Sequence, residues 1–106
     1  MNHTIEIVTF KLNNNEEKSN LLATSPAMDE FLQQQAGFVY RSLSHNEQNL
    51  WHDIIYWKDD ESAYAGADAF QNSEVGKRMM PLIDGPTCEI VYMHGLSETL
   101  ANELAG

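Results

Sequence analysis

The sequence is poor in most of what would announce a chemistry. It holds one cysteine, Cys88, so an internal disulfide framework is excluded. Of 106 residues only 6 are Lys or Arg against 16 Asp or Glu, a formal net charge of −10. That balance repels phosphate backbones and anionic lipid, so no nucleic-acid or membrane partner is expected. The acids are scattered rather than gathered in a tail, as on a solvated surface. No stretch approaches the roughly 20 apolar residues of a membrane span. Met1-Asn2-His3-Thr4 lacks the basic region and apolar core of a signal peptide, and the expected location is the cytoplasm. A Gly-rich phosphate loop and a nucleophile elbow are both missing. The histidines are His3, His45, His52 and His94, none paired at metal-ligand spacing, so no metal is expected. A Ser/His/Asp arrangement stays open, because triads are spatial.

What the chain does have is one organising stretch, residues 50–58, Leu-Trp-His-Asp-Ile-Ile-Tyr-Trp-Lys. β-Branched and aromatic residues dominate it, so it reads as a strand. One face carries Trp51, Asp53, Ile55 and Trp57; the other carries Leu50, His52, Ile54 and Tyr56. Both faces are apolar, so both need cover.

Three more strands fit the pattern. Residues 4–12 alternate Ile5 and Ile7 against Val8, Phe10 and Leu12. Residues 38–45 set Val39 and Leu43 against Phe38, Tyr40 and Ser42, and the polar run 46–49 turns them back as a hairpin. Residues 87–94 set Cys88, Ile90 and Tyr92 against Val91 and Met93.

Two helical regions lie between strands. The first is predicted from about Asn15, with Asn14 and Glu17 forming a capping-box-like start. It restarts at Ser25-Pro26 with Ser25 as N-cap and ends near Gly37. The second opens on Asp59-Asp60-Glu61, with an apolar stripe of Ala63, Tyr64, Ala67 and Phe70. A shorter helix capped by Ser73 follows. The chain is expected to be a single domain over 1–106, with a core of about 3–95 and a weakly helical tail from 97.

The order strand, helix, strand, strand, helix, strand is the ferredoxin-like βαββαβ pattern of an α+β fold. Right-handed crossovers put both helical regions on one face of a four-stranded antiparallel sheet. The other face stays bare, yet Val8, Phe10, Ile54, Tyr56 and Val91 show both parities to be apolar. Leaving such a residue wet forgoes roughly 1.5–3 kcal/mol, and a face of them on the order of 10 kcal/mol. Association costs roughly 4–15 kcal/mol, and an apolar face of this size is unusual on a monomer. The expected assembly is a homodimer packed sheet face to sheet face.

The runs Ile5-Glu6-Ile7-Val8-Thr9-Phe10-Lys11-Leu12 and Gly37-Phe38-Val39-Tyr40-Arg41-Ser42-Leu43 carry a resemblance. So do Trp51-His52-Asp53-Ile54-Ile55-Tyr56-Trp57 leading into Glu61-Ser62-Ala63, and Pro81-Leu82-Ile83-Asp84. Together, over about residues 3–95, they resemble the antibiotic biosynthesis monooxygenase-like superfamily of dimeric α+β barrels. The resemblance implies a pocket between sheet and helices and a cofactor-independent monooxygenase acting on a small aromatic or polyketide-like molecule. No cofactor is expected. Haem breakdown, known in the wider superfamily, needs an Asn on the first strand and a Trp and a His on the second helix. The corresponding regions here offer Val8, the Ala/Gly-rich 64–69 and Lys77-Arg78, so haem chemistry is not expected.

The candidate catalytic groups are Asp53, His52, Glu6 and His94, the bases set in or beside apolar strands. Burying a carboxylate without a partner is costly and raises its pKa. Glu6 and Asp53 are therefore either paired, for example with Arg41, or line a wet cavity where one acts as general base. Trp51, Trp57, Tyr40 and Tyr64 are candidate ligand contacts, although a tryptophan just before a helix also suits the core, packing on Ala63 and Ala67. Cys88 reads as a small buried thiol. Three functions compete: an enzyme of the kind just described, a non-catalytic homodimer that binds a small hydrophobic or aromatic ligand, and a structural or stress-related dimer with a filled core. A cavity favours the first two.

Overall fold

The computed structural model describes residues 2–102. Strands β1 (Thr4–Phe10), β2 (Phe38–His45), β3 (Trp51–Trp57) and β4 (Glu89–His94) form one antiparallel sheet in the order β2-β3-β1-β4. Helices α1 (Lys18–Leu22) and α2 (Ser25–Gln33) connect β1 to β2, and α3 (Asp60–Gln71) and α4 (Glu74–Met79) connect β3 to β4. This is the ferredoxin-like α+β arrangement the element order predicts.

Turn and cap chemistry explains most of the boundaries. The Asn46 side-chain oxygen accepts from the backbone N–H of Gln48 at 2.9 Å and of Leu50 at 3.1 Å, while Asn49 takes φ +61°. Those contacts close the β2–β3 hairpin. Asp59 caps α3 by accepting from the Ser62 N–H at 2.8 Å, with Asp60 and Glu61 in the first turn. Ser73 caps α4 by accepting from the Gly76 N–H at 2.9 Å.

The first helical region differs from expectation. It begins at Lys18, with Glu17 at the N-cap and no side-chain cap, so Asn14 and Glu17 form no capping box. Asn13 is drawn instead to the segment before β4. Its N–H donates to Leu82 O at 2.9 Å and its side-chain amide to Pro81 O at 2.8 Å. At the joint between α1 and α2, Ser25 is already helical and Thr24 holds the N-cap position. The buried Thr24 hydroxyl donates back to Leu21 O at 2.6 Å, so it closes α1 rather than capping α2. Helix α2 ends at Gln33, and Gly37 takes φ +81° only where the chain turns into β2. A side chain there would strike Ser62 at the start of α3.

The two sheet faces sort as the alternation requires, with one exception. Thr4, Glu6, Val8 and Phe10 of β1 share the helix-covered face with Trp51, Asp53, Ile55 and Trp57 of β3. Ile5 and Ile7 share the opposite face with Ile54, Tyr56, Val91 and Met93. In β2 a bulge between Phe38 and Tyr40 breaks the simple alternation. Phe38 turns to the helix side and meets Trp57 edge-on at 6.0 Å, while Tyr40 falls on the bare face against Tyr56.

The core under the helices comprises Phe10, Leu21, Met28, Leu32, Trp57 and Met79 among others, all buried. Trp57 packs against Gly66 of α3, where even a Cβ would collide with the indole ring. Of the tail expected to be weakly helical from 97, residues 97–101 are not helical, Asn102 is, and 103–106 lie outside the described residues. The tail is tied down at Glu98, which accepts from the His3 backbone N–H at 2.9 Å. No helix among the described residues is long and apolar enough to cross a membrane.

Candidate functional site

A cavity of about 140 Å³ lies between the sheet and the helices. Its sheet side is Glu6, Val8, Asp53, Ile55 and Trp57, and α2, α3 and α4 close it with Met28, Phe31, Phe70 and Met79. Met80 and Ile90, both half exposed, border it where α4 ends and β4 runs along the sheet edge. The walls are apolar, and the two acids are the charged groups among them.

The acids are satisfied differently. The Arg41 guanidinium forks onto Asp53, Nε donating to Oδ1 at 2.9 Å and Nη2 to Oδ2 at 2.8 Å. Both side chains are 7% exposed, so the pair is desolvated as well as bidentate. β2 supplies Arg41 on the same sheet face, one residue pair along from Asp53. Glu6 has no cationic partner among the described residues. Its Oε1 accepts from the Trp57 indole N–H at 2.9 Å, in a buried contact across β1 and β3. Burial pushes the Glu6 pKa above the ordinary carboxylate value; the Trp57 hydrogen bond opposes the shift and the charge of Asp53 adds to it.

Of the residues singled out from the sequence, Glu6, Asp53 and Trp57 converge on the cavity. Trp51 shares their sheet face but lies at its far end, buried against Phe10, where it borders a polar depression with Lys11, Lys18 and Asn49. His52 lies on the bare face between Thr9 and Ser44. His94 sits at the end of β4 with Nε2 2.8 Å from Asp60 Oδ1. Tyr40 is on the bare face, 58% exposed. Tyr64 on α3 is half exposed, with its ring edge-on to Tyr92 of β4. Cys88 was expected as a buried thiol; it is only partly buried at the cavity wall, and burial pushes its pKa up. Among the described residues no three His, Cys, Asp or Glu side chains converge as metal ligands.

The methionines and phenylalanines of the cavity wall were not foreseen as site residues. Met28 and Phe31 carry the same helical periodicity whether they fill a core or line a hole, so their pattern holds no signal of a cavity.

No protein-family model matches the chain, and none of the curated proteins matches it. Solved structures do match in fold. A mutant of SnoaB, a cofactor-independent oxygenase from Streptomyces nogalater, superposes with TM-score 0.67 at 12% identity over 94% of this chain and 97% of its own. NE2512 from Nitrosomonas europaea, a protein of unknown function, superposes with TM-score 0.69 at 15% identity over 95% and 96%. A dimeric ferredoxin-like protein from an uncultured marine organism gives 0.68 at 10% identity over 96% and 95%. The chain thus has the fold used by antibiotic biosynthesis monooxygenases, and proteins of unknown function share it.

Two predictions follow from the acids. Removing Arg41 leaves Asp53 buried without its counter-charge. Arg41→Met should destabilise the fold by about 3–5 kcal/mol in urea unfolding at fixed protein concentration, and Arg41→Met with Asp53→Leu should recover most of that loss. For Glu6, a raised folded-state pKa means the folded protein holds the proton more tightly than the unfolded chain. Its contribution is present below the unfolded value of about 4.5 and lost as pH rises through the folded value. Glu6→Gln should therefore gain stability relative to the parent across that window and hold the gain at higher pH, read as a difference in urea midpoints.

Proposed function

We propose that the chain is a homodimer built on its bare sheet face, and that the cavity in each protomer binds a small aromatic molecule and oxygenates it with O2 without a resident cofactor. The observation that carries the reading is the apolar cavity with two carboxylates in its wall. A base removes the hydroxyl proton of a bound phenol and makes the ring electron-rich. The ring carbon para to the hydroxyl then loses its hydrogen and gains one oxygen atom as a carbonyl. The other oxygen atom leaves as water with the two hydrogens lost, and the substrate supplies all the electrons. Apolar walls serve this chemistry by keeping bulk water from the reactive ring. The likeness in fold to SnoaB, a cofactor-independent oxygenase, supports the same reading.

A second reading, a dimer that binds such a ligand without turning it over, draws on one observation. The Arg41 fork occupies both oxygens of Asp53, as in a structural ion pair. The cavity itself weighs against a filled-core structural dimer.

The dimer is supported by the bare face. Ile7 pairs with Ile54 on one side and Val91 on the other, at the centre of a patch whose Val91 and Met93 are 44% and 52% exposed. Tyr40 and Tyr56 extend it to the β2 edge. Two such faces brought together remove this surface from water.

Sedimentation should give a particle of twice the 12.0 kDa of one chain, and Ile7→Arg should reduce it to one chain while the helix-covered core stays folded. A folded particle of a single chain in the parent protein removes the dimer. Oxygen consumption should accompany quinone formation when hydroxyarenes are incubated in air with the protein alone. Loss of the base, by Glu6→Gln or by Asp53→Asn, should lower the rate about 10²–10⁴-fold. No consumption across the panel removes the oxygenase and leaves the binding protein.

A further inference from the structure

We infer that the cavity takes single-ring phenols and that the free oxygen of the Glu6 carboxylate holds their hydroxyl group. The inference rests on the aromatic-ligand reading above and narrows it from hydroxyarenes in general to one ring and one anchoring residue.

Size comes first. A cavity of about 150 Å³ lined by aliphatic and aromatic side chains holds a benzene molecule. The present cavity, about 140 Å³, is of that size and similarly walled by Val8, Ile55, Met28, Phe31 and Phe70. One ring fits inside; a second or third fused ring must either lie past the half-exposed Met80 and Ile90, out of the apolar interior, or part the walls.

The anchor follows from hydrogen-bond accounting. Glu6 Oε1 is taken by the Trp57 indole N–H. Glu6 Oε2 accepts from no described residue, yet no buried side-chain nitrogen or oxygen among those residues is sealed off without a partner. Oε2 is therefore open to the cavity that Glu6 lines. Asp53 is different: Arg41 engages both its oxygens. So an acceptor faces the cavity from Glu6, and a ligand there must bring a donor. The Glu6 carboxylate, with no counter-charge among the described residues, also disfavours an anionic ligand, while Arg41 offsets Asp53. A neutral ring with one hydroxyl meets all three conditions. The raised pKa of Glu6 narrows its gap in acidity to a phenol and strengthens the hydrogen bond between them.

Binding of phenol, anisole, benzoate, 1-naphthol and 1-anthrol to the full chain at pH 8, by ligand-observed NMR, tests this. Phenol should bind about tenfold or more tightly than anisole, the effect of one hydrogen bond to a charged acceptor. The fused-ring compounds should bind more weakly than phenol, and benzoate not at all. Glu6→Gln is the informative variant. Trp57 must still donate to an oxygen, so the amide turns its NH2 to the cavity and replaces the acceptor with a donor. The preference for phenol over anisole should then vanish. If this variant does not fold, the phenol-to-anisole ratio in the parent decides the matter. Equal binding of phenol and anisole overturns the Glu6 anchor, and tighter binding of 1-anthrol than phenol overturns the single-ring limit; in both cases the aromatic-ligand reading survives. If no compound of the series binds, both fall together.

Discussion

The buried Trp57 side chain ties a helix, the hairpin and a cavity acid to one centre. Its indole is pressed against Gly66 of α3, which fixes how close that helix lies to the sheet. Phe38, turned inward by the β2 bulge, packs edge-on to it and joins the hairpin to the same centre. Its N–H holds one oxygen of Glu6 across the strands. A single aromatic ring therefore sets the helix–sheet spacing, the height of the cavity and the orientation of an acid in its wall. A tryptophan suits all three tasks because it combines a large apolar surface with one directional donor.

Around that centre the electrostatics are unusual for so acidic a chain. Most of the 16 acids belong to the surface, while Glu6 and Asp53 are buried together under the helices. One of only 6 basic residues, Arg41, is placed inside to compensate Asp53. Glu6 receives no such charge from the described residues and is met by a neutral indole N–H, so burial dominates its protonation. Two carboxylates on one face thus have different partners, which is how one site can hold one acid fixed as an ion pair and leave the other able to exchange a proton. The ion pair is a structural element in its own right, since either partner alone would be a buried, uncompensated charge.

The sheet imposes the second constraint. Its central strands β3 and β1 are apolar on both faces, but the helices cover only one. The covered face holds the cavity and its acids, while the other presents Ile5, Ile7, Ile54 and Tyr56 with Val91 and Met93. The division places the cavity and the bare apolar face on opposite sides of the same strands, and alternation along β1 and β3 enforces it residue by residue.

Much of this was readable from the chain itself. Alternation in 4–12, 50–58 and 87–94 assigns the two faces because a strand's side-chain period is two and does not depend on its neighbours. The cap at Ser73 and the acidic opening of α3 at 59–61 were equally legible, being local to one turn. The start of α1 was not, because Asn13 is bound by Leu82 and Pro81 far along the chain. Nor was the inward turn of Phe38, since a bulge adds a residue with no mark in the sequence. At the site, the sequence determined that Glu6 and Asp53 lie among apolar residues and need partners, and it offered Arg41 as one. Only the tertiary structure decided that Arg41 belongs to Asp53 and Trp57 to Glu6, and that a hole remains between them. The physical reason is that alternation is a property of one strand, whereas a hydrogen-bond partner and an unfilled volume belong to elements that meet only when the chain has closed.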